Sequence, residues 1–262
     1  MYRTNGFGLG AAHHAVYETS GIVHRDISVG NVMFYRENNT VMGILCDWDL
    51  ALHTRNSYQE KMLGQRPQDS EAAQELGGHT SAQQTSTSAP EAGHDRYRTG
   101  TGPFMAYELL RLGEVPPYLY RYDLESFFWL LAWFCALFDP KSHSTKRRSP
   151  WDHAELFMVG MRKHTFISNV AFYTMVFENS DPDYRSLAHD WVRKLRRYIA
   201  SAVNGHVDQM ESLVDEIILA RDRGDFTQAG LQLEELEALK TKAIITYEKF
   251  MGCIGVTVQV SK

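Results

Sequence analysis

Apolar and polar positions alternate with a helical period near the start of the chain. Apolar side chains recur every three to four residues over positions 9–20, which predicts a short amphipathic helix ending at Gly21. Positions 32–35 and 41–45 are also apolar and rich in β-forming residues, and a polar stretch at 36–40 separates them. This arrangement predicts a β-hairpin directly after the helix.

The pattern then changes over residues 63–98. This stretch is rich in Gln, Ser, Thr, Gly, Glu and Ala and almost free of large apolar residues. Such a segment cannot bury enough surface to offset the entropy lost on ordering. We therefore expect a disordered insertion here, with order resuming near Arg98.

A strongly apolar stretch over residues 123–138 predicts a buried central helix. It is too short to cross a bilayer, because a transmembrane helix needs about 20 apolar residues. Amphipathic patterns over 152–164 and 187–203 predict two further helices.

Helical spacing returns after Gly205. Apolar residues over 207–218 predict one helix, and apolar residues over 233–251 predict another. Between them, Gly224 is suited to end the first helix and Asp225 to cap the second. The pair predicts a helical hairpin packed on its own domain.

Composition narrows the possible functions. The chain has 262 residues, of which 44% are apolar, so it can bury a real core. A formal net charge of −5 predicts neither a nucleic-acid partner nor an anionic membrane partner. The three cysteines are widely spaced, which argues against a disulfide framework or a zinc site. Without a recognisable signal peptide or membrane-spanning segment, a cytoplasmic or nuclear location is expected.

Two motifs in the first fifty residues carry candidate chemistry. His24, Arg25, Asp26 and Asn31 form the pattern H-R-D-x-x-x-x-N, just after the predicted first helix. The second motif, D-W-D-L-A, begins at Asp47 and follows the second predicted strand. Carboxylate side chains can accept protons, and carboxylate and amide oxygens can bind a divalent cation.

A third motif, R-T-G-T-G-P-F-M-A-Y-E, contains Thr101 and ends at Glu108, and Asp123 then opens the predicted apolar helix. In this order the three motifs resemble the fungal-type protein kinase family, a divergent branch of the protein kinase-like fold. The resemblance extends from about Leu9 to Val256. A single such motif is weak evidence, whereas three motifs in the correct order and context are specific.

The resemblance implies phosphoryl transfer from ATP, with Mg²⁺, to Ser or Thr hydroxyls of a protein substrate. Asp26 is then the residue that orients and deprotonates the hydroxyl. Asn31 and Asp47 hold the metal and, through it, the nucleotide. Thr101 hydrogen-bonds Asp26 and shapes the substrate site.

Four more residues are implied to support the site. His24 and Arg25 belong to the catalytic loop, Glu108 anchors the third motif to the lobe, and Asp123 holds the loop backbone. The chain also departs from ordinary Ser/Thr kinases in three places. These are Ser28 where they have Lys, Asp49 where they have Gly, and Tyr107 where they have Pro.

The predicted fold is α+β and mainly α. It is a protein kinase-like C-terminal lobe with a small β-hairpin that carries the catalytic and metal-binding loops. The whole chain, residues 1–262, is predicted to form this lobe. Its predicted parts are the loop and hairpin (9–62), the insertion (63–98), the helical lobe core (99–204) and the C-terminal helical hairpin (205–252).

Only 23 residues precede His24. A kinase places its glycine-rich loop, its ATP-binding Lys and the Glu that holds this Lys before that point. We therefore expect a truncated chain without the N-terminal lobe. Gly6, Gly8 and Ala11 fit a loose G-x-G-x-x-G/A pattern, but no strand precedes them, so a flexible start is the preferred interpretation.

Two hypotheses remain at this point. In the first, the chain is a fungal-type protein kinase whose N-terminal lobe comes from elsewhere. In the second, it is a catalytically inactive, pseudokinase-like binding module. In that case the apolar surface that normally faces the missing lobe would bind a protein partner. Whether the chain is an enzyme stays open on sequence grounds.

Overall fold

The structure is a computed structural model. It describes residues 8–38, 40–54, 99–113, 115–145 and 148–258. The predicted disordered insertion lies outside these residues. The described chain is mainly helical and carries small antiparallel sheets, as predicted.

Eight α-helical segments follow one another within the described residues. They are α1 (Gly8–Ser20), α2 (Tyr120–Leu137), α3 (Leu156–Ser168), α4 (Val170–Phe177), α5 (Arg185–Leu187), α6 (Arg193–Asp222), α7 (Phe226–Lys240) and α8 (Tyr247–Cys253). A π-helical turn, Ala188–Val192, joins α5 to α6. Short 3₁₀ helices lie at Gly102–Phe104, Tyr107–Leu110 and Pro182–Tyr184.

In the part of the chain that the structure describes, six short strands form three antiparallel pairs. The pairs are β1 (Ile22–Val23) with β4 (Leu52–His53), β2 (Val32–Glu37) with β3 (Thr40–Leu45), and β5 (Phe138–Asp139) with β6 (Ser144–Thr145). The predicted hairpin is confirmed, but its connection is tighter than expected because Glu37 pairs directly with Thr40. Asn38 has a φ of +47°, which tight hairpin turns require and Asn tolerates.

Helix α2 is the centre of the main core. Its side chains are apolar on nearly all sides, and most of them are buried. Trp129 packs against Trp151 and Phe166, with ring centroids 5.3 and 5.6 Å away. The helix begins at Tyr120, three residues before the predicted start, so Asp123 lies in its first turn. No helix among the described residues is long and apolar enough to cross a membrane.

Helix α3 begins at Leu156, four residues later than predicted. The preceding segment is held out of the helix by a tertiary contact. Trp151 is completely buried, and its indole Nε1 donates a hydrogen bond to the Pro103 carbonyl at 3.0 Å. Core packing therefore overrides the amphipathic pattern here.

Helix α6 corrects the prediction of a break near Gly205. It runs through that residue without interruption, so the predicted boundary at 204/205 falls inside one continuous helix. A Cβ atom placed on Gly205 would meet nothing within 4 Å. Glycine therefore lowers helix propensity at this position without ending the helix.

The C-terminal hairpin forms between α6 and α7, but it is shorter than predicted. Gly224 has a φ of +76°, and the Asp225 side chain accepts a hydrogen bond from the Gln228 amide at 3.0 Å, as expected for a stop and a cap. The prediction of a single helix over 233–251 was wrong, because α7 ends at Lys240. Arg121 binds the carbonyls of Lys240 and Lys242, which takes the chain out of the helix. Helix α8 then returns to the main core.

The continuity of α6 can be tested by the substitution Gly205→Ala. In an uninterrupted helix, this change should raise the free energy of unfolding by up to about 1 kcal/mol. The measurement is urea denaturation followed by circular dichroism.

Gly160→Ala is the matched control within α3. A Cβ at Gly160 would lie 2.9 Å from Leu110 Cβ, so overpacking should outweigh the propensity gain and lower stability by about 1–3 kcal/mol. A destabilised Gly205→Ala variant would contradict a continuous α6.

Candidate active site

A buried carboxylate organises the H-R-D loop, residues 24–31. Asp123 is fully buried and accepts two backbone hydrogen bonds from this loop, from the His24 amide at 2.6 Å and the Arg25 amide at 3.1 Å. The Tyr118 hydroxyl donates to it at 2.9 Å, and His13 Nε2 of helix α1 donates at 2.8 Å. One side chain thus joins the loop, helix α1 and the start of helix α2.

These four donors decide the charge of Asp123. Burial on its own would raise the pKa of the carboxyl, but the bonds from His13 and from the loop amides outweigh burial and lower the pKa below its ordinary value. Burial and the Asp123 charge raise the pKa of Tyr118 well above normal, so its hydroxyl stays protonated and donates. Asp123 is therefore an ionised carboxylate that accepts a hydrogen bond from every donor around it.

His24 connects the H-R-D loop to the strand that leads to Asp47. Its ring is buried, with Nε2 2.9 Å from the Cys46 carbonyl and Nδ1 3.2 Å from the Asp26 amide. These contacts fit a neutral ring that donates from Nε2 and accepts at Nδ1. The ring also meets Trp48 edge-on, with centroids 4.7 Å apart.

Asp26 is partly exposed, and its two carboxylate oxygens accept hydrogen bonds from two different residues. Asn31 Nδ2 donates to its Oδ2 at 2.9 Å, and the Thr101 amide and hydroxyl both donate to its Oδ1 at 2.8 Å. A carboxylate oxygen can accept about two hydrogen bonds. Oδ1 is therefore fully used, whereas Oδ2 keeps the capacity to accept one more proton donor.

The contact between Thr101 and Asp26 depends on the preceding glycine. Gly100 has a φ of +118°, and a Cβ at this position would lie 2.7 Å from the Arg25 carbonyl oxygen. Arg25 itself has a φ of +74°, a conformation that costs a non-glycine residue about 1–3 kcal/mol. Asp123 offsets this cost by holding the Arg25 amide. The third motif can approach the loop this closely only because position 100 has no side chain.

Asp47 lies at the same end of the hairpin as Asn31. The Cys46 amide donates to the Asn31 carbonyl at 2.8 Å, and Val32 pairs with Leu45, so the two chain ends run side by side. Asp47 is exposed and has a φ of +60°. Because Asn31 Nδ2 is committed to Asp26, its amide oxygen is the atom left to ligate a cation.

The donor set fits Mg²⁺ better than a softer metal. Asn31 and Asp47 offer oxygen ligands, and Mg²⁺ is commonly held by one or two carboxylates together with substrate phosphates. No group of three or more His, Cys, Asp and Glu side chains that could hold a metal occurs within the described part of the chain. Asn31 and Asp47 alone are too few to fill the coordination shell of Mg²⁺, so a cation held here would need further ligands such as water or phosphate oxygens.

Glu108 ends the third motif and is anchored to helix α2. The Arg121 guanidinium donates to Glu108 Oε2 at 2.6 Å, and only 2% of the Arg121 side chain is exposed. Arg121 also donates to the Lys242 carbonyl. This ion pair fixes the end of the third motif to the central helix and to the C-terminal segment.

A second buried pair supports the segment between Thr101 and Glu108. Lys163 of α3 is completely buried and donates to the Met105 carbonyl, with the Gly102 carbonyl 3.4 Å away. Glu125 of α2 accepts from the Tyr107 amide at 2.7 Å. Burial lowers the pKa of Lys163 well below its ordinary value and raises the pKa of Glu125. Both groups serve as hydrogen-bonding anchors within the core.

The structure brings together most of the residues singled out in the sequence. His24, Asp26, Asn31 and Thr101 share one hydrogen-bond network, which Asp123 joins through the His24 amide. Gly8 lies in helix α1 instead of in a loop, so it does not form a phosphate-binding turn.

Sequence reasoning missed the residues that support this network from other elements. They are His13, Tyr118, Arg121, Glu125 and Lys163. A charged residue inside an apolar helical stretch, such as Glu125, is the one local signal that could have pointed to a buried anchor.

Comparison with known families agrees with this geometry. A family model described as fungal protein kinase matches residues 10–135. This segment, just under half of the chain, is similar to that family. It contains all three motifs, the H-R-D loop, the hairpin and helix α2 almost to its end. Searches of curated proteins and of solved structures found no match.

The role of Asp123 leads to a test by Asp123→Asn. An amide can accept at one oxygen only, so at least one buried donor loses its partner, and we expect a loss of about 3–5 kcal/mol in unfolding free energy. Asp49→Asn, on an exposed side chain, is the control and should change stability by less than about 0.5 kcal/mol. Equal stability of both variants in urea denaturation would contradict the role of Asp123.

The same carboxylate should make stability depend on pH in acid. Its pKa is lowered on folding, so its contribution is complete above the ordinary value of 3.8 and is lost as the pH falls through the folded value. The stability difference between the natural chain and Asp123→Asn should therefore stay constant well above pH 3.8 and should narrow only at pH values below 3.8, as measured by denaturation curves that extend into this acid range.

The close approach of Gly100 can be tested against a second glycine. Gly100→Ala and Gly113→Ala both place a side chain at positive φ, but a Cβ at Gly113 meets nothing within 4 Å. The backbone is strained in both variants, but only in Gly100→Ala does the new Cβ also clash with the Arg25 carbonyl oxygen. We expect Gly100→Ala to be the more destabilised by about 1–3 kcal/mol in urea denaturation. Equal losses would show that the loop can shift to make room.

Proposed function

We propose that this protein is a protein serine/threonine kinase of the fungal type, built on a protein kinase-like C-terminal lobe. ATP and Mg²⁺ are its cofactors, and a Ser or Thr side chain of a protein is its substrate. The observation that carries the proposal is the arrangement around Asp26. An ionisable carboxylate is held by Asn31 and Thr101 while one lone pair on Oδ2 stays available.

The chemistry follows from this free acceptor. A substrate hydroxyl donates its proton toward Asp26 Oδ2 while its oxygen attacks the γ-phosphorus of ATP. An O–P bond forms to the substrate, the bond to the bridging oxygen breaks, and ADP leaves. Mg²⁺, when bound through Asn31 and Asp47, offsets the negative charge on the phosphates. Thr101 keeps the carboxylate from rotating away from the hydroxyl.

We propose that the residues anchoring the third motif hold the segment against which the substrate binds. Arg121 with Glu108, and Lys163 with the Met105 carbonyl, fix the segment that follows Thr101. Positioning of this kind accounts for much of the rate in phosphoryl transfer, because the protein itself takes little part in the bond changes.

The test measures phosphate transfer from radiolabelled ATP to a mixed Ser/Thr peptide library in the presence of Mg²⁺. Asp26→Asn keeps the shape of the side chain and removes the base, so transfer should fall by about 10²–10⁴-fold. Asp26→Asn should still bind Mg-ATP in calorimetry, whereas Asp47→Ala should not. Asp49→Ala, next to it in the sequence, is the control and should keep both properties. Full transfer by Asp26→Asn would refute the assigned base.

A second candidate is the inactive binding module, which one observation favours. The hairpin and the loop before it expose several large apolar side chains, namely Val29, Met33, Phe34, Val41 and Ile44. A cavity of about 570 Å³ opens beside them against helix α2 and is lined mainly by apolar groups, among them Phe127 and Leu131. In an active kinase this surface is expected to face the N-terminal lobe. Absence of calorimetric heat with millimolar Mg-ATP, together with no transfer, would favour the binding module.

A further inference from the structure

A pocket between α4 and the start of α6 concentrates positive charge. It has a volume of about 320 Å³, and four arginines line it: Arg185, Arg193, Arg196 and Arg197. The π-helical turn Ala188–Val192 passes through its wall, since Ala188 and His189 also line it. Such turns are frequent at functional sites because they shift side chains out of the regular helical register.

Arg196 forms the buried side of this pocket. Only 5% of the residue is exposed, its Nε donates to the Phe166 carbonyl at 2.8 Å, and its guanidinium lies 5.0 Å from the centre of the Tyr173 ring. Burial lowers the pKa of Arg196, and the charge of Arg197 lowers it further. The guanidinium is therefore fixed in place with part of its hydrogen-bonding capacity unused.

The positive charge of the pocket is not balanced by carboxylates. Within the residues that the structure describes, none of the four arginines has an Asp or Glu oxygen at ion-pair distance. Arg193 Nε is also buried and has no hydrogen-bond partner there. Asp190 acts on Arg193 at longer range, but it is exposed and hydrogen-bonded to His189 Nδ1 at 2.9 Å. Clustered like charges of this kind are unfavourable unless an anion binds between them.

We propose that this pocket binds a phosphate monoester carried on a serine or threonine side chain. Guanidinium groups recognise phosphate by paired hydrogen bonds, and a phosphoryl group brings close to two negative charges and three acceptor oxygens. A carboxylate would offer one charge and two oxygens to four arginines. The tyrosine and aliphatic side chains around the arginines leave room for the residue that carries the phosphate. This inference does not depend on the catalytic activity proposed for the H-R-D loop.

The test is calorimetry on the full chain at constant ionic strength. The titrants are a phosphoserine peptide, the same peptide without phosphate, and inorganic phosphate. The phosphoserine peptide should bind, and the unmodified peptide should not. Inorganic phosphate should compete more weakly. Inorganic phosphate that binds as tightly as the peptide would support a phosphate site but assign it to small free anions.

The variants separate a built pocket from general charge attraction. Arg193→Gln combined with Arg197→Gln should weaken phosphopeptide binding by at least about tenfold. Lys194→Gln lies in the same helical turn, is exposed, does not line the pocket and removes one positive charge, so it should change binding by less than about twofold. If the double variant does not fold, the single substitution of the exposed Arg197 serves in its place. Equal loss from Lys194→Gln, or no binding of the natural chain at millimolar phosphopeptide, would overturn the proposal.

Discussion

The candidate active site depends on one buried charge, the Asp123 carboxylate, which requires hydrogen-bond donors around it. Asp123 has no contact with solvent, so its carboxylate is tolerable only while His13, Tyr118 and the amides of His24 and Arg25 point at it. Each of these donors belongs to helix α1, to the H-R-D loop or to the segment that leads into helix α2. Satisfying one carboxylate therefore places helix α1, the H-R-D loop and the first turn of α2 in a single arrangement. The positive φ of Arg25 is a consequence of this requirement, because its amide must reach Asp123.

The opposite wall of the site is held by a different pair of buried ionisable groups. Lys163 and Glu125 bind backbone groups of the third motif instead of each other. The Trp129 indole contacts both groups, because its Nε1 donates to Glu125 at 2.9 Å and its ring centroid lies 4.6 Å from Lys163 Nζ. Burying both groups costs solvation energy, and hydrophobic residues of similar size could pack there at no greater cost. We infer that their value lies in fixing the path of the backbone. Thr101 then meets Asp26 from a segment that the core holds in one position.

The residues proposed to carry the chemistry could be predicted from the sequence, but the residues that hold them in place could not. Asp26, Asn31 and Thr101 belong to motifs whose resemblance to the kinase family implies their contact, and the hairpin and the Gly224–Asp225 stop follow from local rules. His13 and Asp123 are 110 positions apart, and no periodicity connects them. The predicted helix boundaries were wrong for the same reason. Trp151 delays α3 and Arg121 ends α7 through contacts with distant parts of the chain, whereas Gly205 has no neighbour that would turn its weak propensity into a break.

Helix α6 joins two cores of very different size. Its first turns, through Leu195 and Ile199, belong to the main core, whereas its far half packs with α7 around a cluster of only four buried side chains: Leu213, Ile217, Leu236 and Leu239. So small a cluster gives the outer half of the hairpin little stability of its own, and it can open while the rest of the lobe remains folded. Evolution could lengthen, replace or remove this projection without disturbing the hydrogen bonds of the loop. We infer that this outer half tolerates changes in length and sequence better than the main core does.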